Sequence, residues 1–523
     1  MGLYLNRGNS AFEIALNSKI YVDKTGLLAY ANDCIGSNQR FLCVSRPRRF
    51  GKSITAEMLE AYYCRSCDSS AMFAPLEISQ SPSLQTYLNQ YDVLFLEIQR
   101  LMSRAGGAKE LVPYLQRKVL QELRRTYPAL VEPEETNLSA ALEAIYHETG
   151  NGFVIIIDEW DCLFREKQSD IQAQRVYLDF LRELLKGQVY VRLAYMTGIL
   201  PIKKYGTHSA LNMFEEFSMT SPKRLAEYVG FTEQEVQALC EQYHMDFAET
   251  QRWYDGYHLG EIDHVYNPKS VVDAMLNREF QSYWTATETY EALKVYIDLN
   301  FDGLKDAITM MMGGGRSQVN PRRFQNDMTT FTSKDDVLTL LVHLGYLSYD
   351  GGTETVMIPN MEVLDEFALA VEGPGWSEVA NAIRASNTLL KATLAQDEQA
   401  VAAALDAIHM EHTSVLSYNN ELSLSCVITL AYYSARKDYT LIREFPTGKG
   451  FADIVFLPRH HTDLPAIIVE LKWNRSAEGA IQQTKEREYV TSLRDYRGNI
   501  LLVGINYDKS SKTHSCIIER VKK

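Results

Sequence analysis

Cysteine, long apolar runs and a recognisable targeting segment are all scarce or missing from this chain of 523 residues. Eight cysteines are too few for a disulfide framework at this length, which favours a reducing compartment. The longest apolar runs, such as FVIII and PAIIV, fall far short of the ~20 residues needed to cross a bilayer. The opening MGLYLNRGNS has no apolar core of the kind a signal peptide needs. These absences predict a cytoplasmic protein that does not span a membrane.

An excess of positive charge is also lacking, because the net charge is −14. This argues against a protein coated with cations for nonspecific binding of nucleic acid. The balance changes towards the end, where residues 415–523 hold 16 lysines and arginines against 12 acids. A mildly basic C-terminal module on an acidic body fits a localised site for a polyanion. With 46% hydrophobic residues, the chain can bury two to four separate cores.

The stretch SRPRRFGKSITAEMLEAYY, residues 45–63, has the ending of a phosphate-binding loop. It follows the strand-like run RFLCVS and leads into a helical pattern, and Gly51, Lys52 and Ser53 supply the G-K-[ST] of a Walker A loop. In such a loop backbone N–H groups wrap the phosphates, the lysine reaches the terminal ones and the hydroxyl holds Mg²⁺. Arg46 stands where the pattern has its first glycine, which restricts the backbone. A basic turn that caps a helix is the alternative.

The segment GFVIIIDEWD is typical of a buried parallel strand that ends in two acids, Asp158 and Glu159. This is the arrangement of a Walker B segment, in which the aspartate supports Mg²⁺ and the glutamate polarises the attacking water. A strand that runs into a helix N-cap would place an aspartate there too. A further strand, VYVRLAYMTG, ends in Thr197, a weaker candidate for sensing the terminal phosphate.

Two apolar strands near the C-terminus carry charged residues that need a reason. FADIVFL holds Asp453, and AIIVELK holds Glu470 and Lys472 on one face. Adjacent strands can bring the two carboxylates together as ligands of Mg²⁺, with the ammonium beside them to activate water and steady charge on phosphorus. Solvent-facing charges at strand ends are the alternative, because the D…ExK pattern is short.

Between these regions, SKDDVLTLLVHLGYLSYDGGTETVMIPN predicts a helix followed by a two-stranded hairpin that bends at Gly351 and Gly352. Leu338, Leu341 and Val342 are the predicted inward-facing residues of the helix. A helix followed by a hairpin is the outline of a winged helix. The segment is poor in lysine and arginine, which favours a structural or protein-contact role over DNA binding.

Several motifs in chain order resemble the bacterial AAA-ATPase-like family fused to a PD-(D/E)XK nuclease: YVDKT, RPRRFGKS, IIDEWD, GFTEQEV, WYDGYHLG and VYNPKS. The resemblance covers most of the chain. It implies a nucleotide pocket in which Arg48 and Arg49 accompany the loop residues, and it makes Arg46 part of the family's own pattern. It also implies a helical lid around WYDGYHLG, for which a packed aromatic corner is the alternative.

The same resemblance adds two helices to the C-terminal site. In YNNELSLSCVITLAYY it implies that Glu421 completes the metal site, and in AIQQTKEREYV it matches Gln483 and Tyr489 to the helix after the ExK strand. Arg487 is one helical turn past Gln483 and is a candidate phosphate contact.

We therefore predict an α/β multidomain protein in three parts: a P-loop AAA-ATPase-like domain at 1–222, a helical and winged-helix-like region at 223–375, and a restriction-endonuclease-like domain at 376–523. The predicted function is Mg²⁺-dependent cleavage of DNA, with ATP binding to regulate or position it. One alternative is a nucleotide-sensing protein that binds DNA or partners without cutting, and another is a nuclease whose P-loop is a relic. The predicted partners are DNA and nucleotide, and homo-oligomer formation is left open.

Overall fold

The computed structural model describes residues 2–202, 211–284, 290–299, 301–326, 328–412, 421–447, 450–459, 464–486, 496 and 498–521. The chain divides into two compact units. The first is formed by Met1–Trp284 and Gln318–Val363, and the second by Thr285–Ser317 and Leu364–Lys523. The sequence-based boundaries at residues 222 and 375 stay predictions.

The first unit is built on a five-stranded parallel sheet with the strand order β2-β3-β4-β1-β5. Its strands are β1 (Phe41–Ser45), β2 (Asp92–Glu97), β3 (Phe153–Asp158), β4 (Val191–Gly198) and β5 (Glu215–Phe217). The helices before and between them are α1 (Ser10–Leu16), α2 (Gly26–Cys34), α3 (Lys52–Tyr63), α4 (Ser70–Phe73), α5 (Leu84–Tyr87), α6 (Ile98–Ala105), α7 (Leu111–Thr126), α8 (Leu138–Thr149), α9 (Cys162–Glu166) and α10 (Ile171–Leu185). β1 and β3 are buried along their whole length, as their continuous apolar sequences require. Because all five strands run the same way, their carboxyl ends meet at one edge, where ligands bind in open α/β sheets.

A smaller antiparallel sheet follows, in the order β6-β8-β7. Its parts and their helices are β6 (Phe231–Thr232), α11 (Glu233–Tyr243), α12 (Phe247–Tyr254), β7 (Tyr257–Leu259), β8 (Ile262–Tyr266) and α13 (Pro268–Asn277). WYDGYHLG spans the end of α12 and all of β7. The Tyr257 hydroxyl donates to the Gly345 carbonyl oxygen at 2.7 Å, and the Tyr257 ring packs edge-on against Phe50 of the phosphate-binding loop. This motif therefore supports the loop from one side.

The predicted helix and hairpin are present as α16 (Lys334–Leu344), β10 (Ser348–Asp350) and β11 (Thr355–Met357). Leu338, Leu341 and Val342 are buried, as predicted. The turn between the two strands contains Gly351 and Gly352. β9 (Ser317–Gln318) completes this small sheet. β9 and α17 (Met361–Ala370) contain two of the three chain boundaries between the two units.

The second unit is a five-stranded mixed sheet with helices against it, in the strand order β12-β13-β14-β15-β16. Its helices are α14 (Tyr290–Ile297), α15 (Leu304–Met312), α18 (Ser377–Leu394), α19 (Glu398–His412), α20 (Glu421–Ala431) and α21 (Ala477–Glu486). Its strands are β12 (Tyr439–Thr447), β13 (Gly450–Pro458), β14 (Ala466–Trp473), β15 (Ile500–Asp508) and β16 (Thr513–Val521). β14 pairs antiparallel with β13 and parallel with β15. The sheet packs on α21 through Ala452, Val455, Ala466, Ile468, Ile481, Ile500 and Leu502.

The predicted α/β multidomain class is confirmed, with a parallel sheet in the first unit and a mixed sheet in the second. The four strands predicted around the candidate residues are present as β1, β3, β13 and β14. In the described part of the chain, no helix combines the length and apolarity needed to cross a bilayer.

Candidate functional site

The phosphate-binding loop connects β1 to α3 at the carboxyl edge of the parallel sheet. Gly51 has φ +92° and Arg49 has φ +66°, so the loop turns through the left-handed region immediately before the helix. Lys52 is buried as the first residue of α3, and its Nζ donates to the Pro47 carbonyl oxygen at 2.7 Å. Burial lowers the pKa of Lys52 to about 8, although nearby carboxylates such as Asp158 act in the opposite direction.

The other predicted residues of the loop, Arg48, Arg49 and Ser53, differ in how exposed they are. Ser53 is exposed in the first turn of α3, and Arg48 is also exposed. Arg49 is half-buried beside Glu362, whose pKa burial raises to about 7 while hydrogen bonds and Arg49 oppose the rise. A lysine, a hydroxyl and backbone N–H groups at a helix N-terminus are the groups that nucleotide phosphates and Mg²⁺ require. The residues present therefore fit ATP.

Arg46 is fully buried and faces away from the loop it begins. Its guanidinium donates to the Ser45 carbonyl oxygen at 3.0 Å and to the Phe217 carbonyl oxygen at 2.9 Å. Its backbone N–H donates to the Gly198 carbonyl oxygen at 3.1 Å, which ties the loop to the end of β4. Burial lowers the pKa of Arg46 to about 10. The side chain in the first-glycine position therefore anchors the loop to β5. It does not occupy the space where the loop would hold phosphate.

Asp158 lies at the end of β3, two strands from the loop. It is buried, and its Oδ1 accepts a short hydrogen bond from the Thr197 hydroxyl and one of 3.0 Å from the Glu159 backbone N–H. Thr197 and Val44 are register partners on β4 and β1, so Asp158, Thr197 and the loop share one edge of the sheet. The alternative that Asp158 caps a helix is not what the structure has, because α9 begins at Cys162.

Glu159 is held by an ion pair that the sequence analysis did not anticipate. It has φ +54°, and its carboxylate contacts the Arg165 guanidinium at 2.7 Å. Arg165 also contacts Asp161 at 3.1 Å. Asp161 is fully buried and accepts from the backbone N–H groups of Ile199 at 3.0 Å and Leu200 at 2.8 Å. The spacing of Asp161 and Arg165, four residues apart and so one helical turn, was the available signal.

The second candidate site lies where β13 and β14 meet α21. Val455 and Ile468 are register partners and belong to the core that packs on α21. Asp453 lies two residues before Val455, and Glu470 lies two residues after Ile468. Both therefore share that face of the sheet. The Asp453 Oδ2 accepts from the Leu471 backbone N–H at 2.7 Å, which fixes this carboxylate next to Glu470.

Glu470 is almost fully buried at 1% exposure, so its charge must be compensated within the protein. Lys472 Nζ contacts its Oε1 at 3.0 Å, and the Gln483 side-chain amide donates to the same oxygen. α21 comes this close because Gly504, the register partner of Glu470 on β15, has no side chain: a Cβ there would lie 2.5 Å from the Ala477 carbonyl oxygen. The sequence analysis missed this glycine.

The remaining residues of this site are only partly described. Glu421 is the first residue of α20, and the position of its carboxylate lies outside what the structure describes. Arg487 and Tyr489 also lie outside the described residues. Among the side chains that are described, no group of three or more His, Cys, Asp and Glu residues could hold a metal ion. Asp453 and Glu470 supply two carboxylates, which suit a hard cation that keeps water among its ligands.

Each candidate site lies within a stretch of the chain that matches a known family. Residues 8–207 match the model of an AAA-ATPase-like family described as a predicted AAA-ATPase, and residues 420–516 match the PD-(D/E)XK nuclease superfamily. No curated protein matches the chain. The solved structure of the Aeropyrum pernix ORC2 protein (ADPNP-ADP complexes) covers 69% of this chain and 98% of its own at 11% identity, and its TM-score of 0.29 is too low to carry an argument. The two family matches support a nucleotide-binding, nuclease-like protein.

Proposed function

Because the chain joins an AAA-ATPase-like domain to a C-terminal PD-(D/E)XK nuclease superfamily domain, we propose that it is a DNA nuclease whose cleavage is regulated or positioned by ATP. The observation that carries this proposal is the buried carboxylate of Glu470 in contact with both Lys472 and Gln483, on the sheet face that Asp453 shares. A buried charged cluster of this kind costs stability unless it is compensated, so a functional role accounts for it better than a chance surface charge.

In this proposal Asp453 and Glu470 hold one Mg²⁺ ion, and Glu421 is a third ligand. When bound, the ion would make a water molecule a better nucleophile and neutralise charge on the phosphate. The Lys472 ammonium orients the attacking water and stabilises the charge that develops on the phosphate oxygens. Gln483 fixes the orientation of the Glu470 carboxylate through its amide.

At the nucleotide site, Lys52 exchanges its hydrogen bond with the Pro47 carbonyl oxygen for the terminal phosphates of ATP. Ser53 and Asp158 hold the Mg²⁺ that accompanies ATP, and Arg48 and Arg49 supply further positive charge. Glu159 is the residue proposed to polarise water, and it must leave Arg165 to do so. That ion pair favours a second version of the function, in which ATP is bound as a switch and is not hydrolysed.

We also propose that the protein acts in the cytoplasm. All eight of its cysteines are free, which fits a reducing compartment.

Nicking of a supercoiled plasmid tests the proposed activity. Wild-type protein with Mg²⁺ should convert the plasmid to open-circular or linear DNA, and EDTA should prevent this. Lys472→Ala should lower the rate at least about a hundredfold, in line with the loss of a group that stabilises transition-state charge. Lys485→Ala is the matched control, because Lys485 also lies near this sheet but pairs with Glu519 on the surface. No cleavage by wild type, with or without ATP, would instead favour a nucleotide-sensing protein that binds DNA or partners without cutting.

A further inference from the structure

A cavity of about 440 Å³ opens on the first unit between α7, the end of α6 and the N-terminal segment. None of these elements carries the phosphate-binding loop or the acids at the end of β3. The cavity is lined by Leu3, Tyr4, Arg104, Tyr114, Lys118, Gln121, Glu122 and Arg125. Its volume is in the range of ligand sites in proteins.

The lining of this cavity is cationic, although the whole chain carries a net charge of −14. Lys118 and Arg125 lie seven residues apart on one face of α7, and Arg104 faces them from the last turn of α6. In the described part of the chain, none of the three has a carboxylate oxygen within 4 Å. Three adjacent cations without a carboxylate beside them repel one another, so an anion is the ligand that would stabilise them.

The one acid in the lining does not balance these charges. Glu122 accepts hydrogen bonds from three consecutive backbone N–H groups, those of Leu3 at 2.8 Å, Tyr4 at 2.9 Å and Leu5 at 3.0 Å. Its carboxylate is thereby committed to holding the N-terminal segment against α7. The segment thus lines one side of the cavity.

An aromatic ring lies among the cations. Lys118 Nζ is 5.7 Å from the centre of the Tyr114 ring, and the Arg117 guanidinium is 5.6 Å from it. A smaller neighbouring cavity shares Tyr4 and Arg104, but its two other arginines are compensated, since Arg7 pairs with Glu60 at 2.6 Å and Arg100 pairs with Glu97 at 3.7 Å. Tyr114 is half-buried, and part of it lines the cavity. A basic groove that contains an aromatic ring is how proteins bind single-stranded nucleic acid without sequence preference.

We propose that this cavity binds the phosphate backbone of single-stranded nucleic acid, with a base stacked on Tyr114. The inference rests on the proposed function in one respect, that the C-terminal domain acts on nucleic acid. It adds a contact on the ATPase-like unit that would hold a strand while the other unit acts. An acidic peptide would neutralise the three cations equally well, but it has no base to stack on the Tyr114 ring. Nucleic acid is therefore the favoured ligand.

Fluorescence anisotropy of the full chain with a labelled 20-nucleotide oligo-dT, in EDTA to prevent cleavage, tests the proposal. R104E/K118E/R125E should weaken binding at least about tenfold. It should also reduce the slope of log affinity against log salt by about 2, because each phosphate contact to a single strand contributes about 0.7. R175E/R224E/R278E changes the net charge equally at exposed arginines elsewhere on the same unit, and it should weaken binding less than about threefold. Equal losses in the two variants, or unchanged binding in the first, would overturn the proposal.

A second pair of variants leaves the charge unchanged. Tyr114→Ala should weaken binding about fivefold or more, with no change in the salt slope, because stacking on an aromatic ring is lost. Tyr114→Phe should bind like wild type. Wild-type behaviour of Tyr114→Ala would contradict a base at this position, and complete displacement of the oligonucleotide by millimolar inorganic phosphate would contradict nucleic acid as the ligand. If wild type nicks the plasmid but the charge variant binds the oligonucleotide as wild type does, this cavity is not the binding site. The proposed nuclease activity would be unaffected by that result.

Discussion

Arg46 stands where the general phosphate-binding loop has its first glycine, and its guanidinium lies inside the protein. The carbonyl oxygens it satisfies belong to Ser45 and, far along the chain, Phe217. A glycine in this position would leave those buried acceptors without a donor. The loss of stability would therefore be larger than for a typical substitution in a loop. The arginine is thus compatible with a phosphate-binding loop, and it is also needed to hold the loop in place.

Arg46→Gly should therefore destabilise the protein even though it restores the general pattern. We expect the free energy of unfolding of its domain to fall by about 2–4 kcal/mol, from the lost hydrogen bonds and the cavity left behind. The shift of the urea midpoint measures this. Arg48→Gly, two residues away and exposed, should cost less than about 1 kcal/mol. Equal effects of the two changes would contradict the anchoring role.

If Lys52 holds the phosphates as proposed, nucleotide binding should depend on pH. Its pKa is lowered to about 8 by burial in the nucleotide-free protein, and a bound phosphate would raise this pKa because it favours the charged form. Binding must then take up a proton when the pH is above 8, so the affinity falls as pH rises. Calorimetric titration with ATP should show about a tenfold loss of affinity between pH 7 and pH 9. Lys52→Ala should bind weakly with no such dependence, and a flat wild-type profile would contradict the assignment.

Among the elements, the contact of α21 with β15 sets the geometry of the C-terminal site. Gly504 lies opposite Glu470 and lets the helix backbone approach the sheet, which is what brings Gln483 to the Glu470 carboxylate. The proposed catalytic side chains are thus positioned in part by a glycine on the neighbouring strand.

Gly504→Ala should lower plasmid nicking at least about tenfold, because its methyl group would lie 2.5 Å from the Ala477 carbonyl oxygen and push α21 away. ATP binding by the other unit should not change. Gly375→Ala is the control, since a methyl group there meets nothing within 4 Å. Normal nicking by Gly504→Ala would show that the position of α21 is not critical.

The strands and the loop around both sites were predictable, because buried parallel strands and the G-K-S ending leave strong local patterns. The direction of Arg46 was not, since it depends on a carbonyl from Phe217, 171 residues away. The Glu159–Arg165 pair is local by contrast, and its signal was the spacing of Asp161 and Arg165. Gln483 came from family resemblance alone, and only the structure shows that it reaches Glu470.

For the molecule as a whole, the question is whether the two units act together. ATP should change the rate of plasmid nicking by wild type at least about threefold, in either direction. Lys52→Ala should nick at one rate with or without ATP, because the nucleotide no longer binds. If wild type nicks at the same rate with and without ATP, and Lys52→Ala nicks at that rate too, the P-loop is a relic with no role in cleavage.

The most direct test of the central claim is divalent-ion binding by the full chain without nucleotide or DNA, measured from the Mn²⁺ electron paramagnetic resonance signal. Wild type and Asp158→Asn should both bind an ion, since Asp158 belongs to the proposed nucleotide site. Asp453→Asn and Glu470→Gln should each lose it, because these two carboxylates on one sheet face are proposed to share the ion. Equal binding by all four proteins, or no binding by wild type, would contradict the nuclease account.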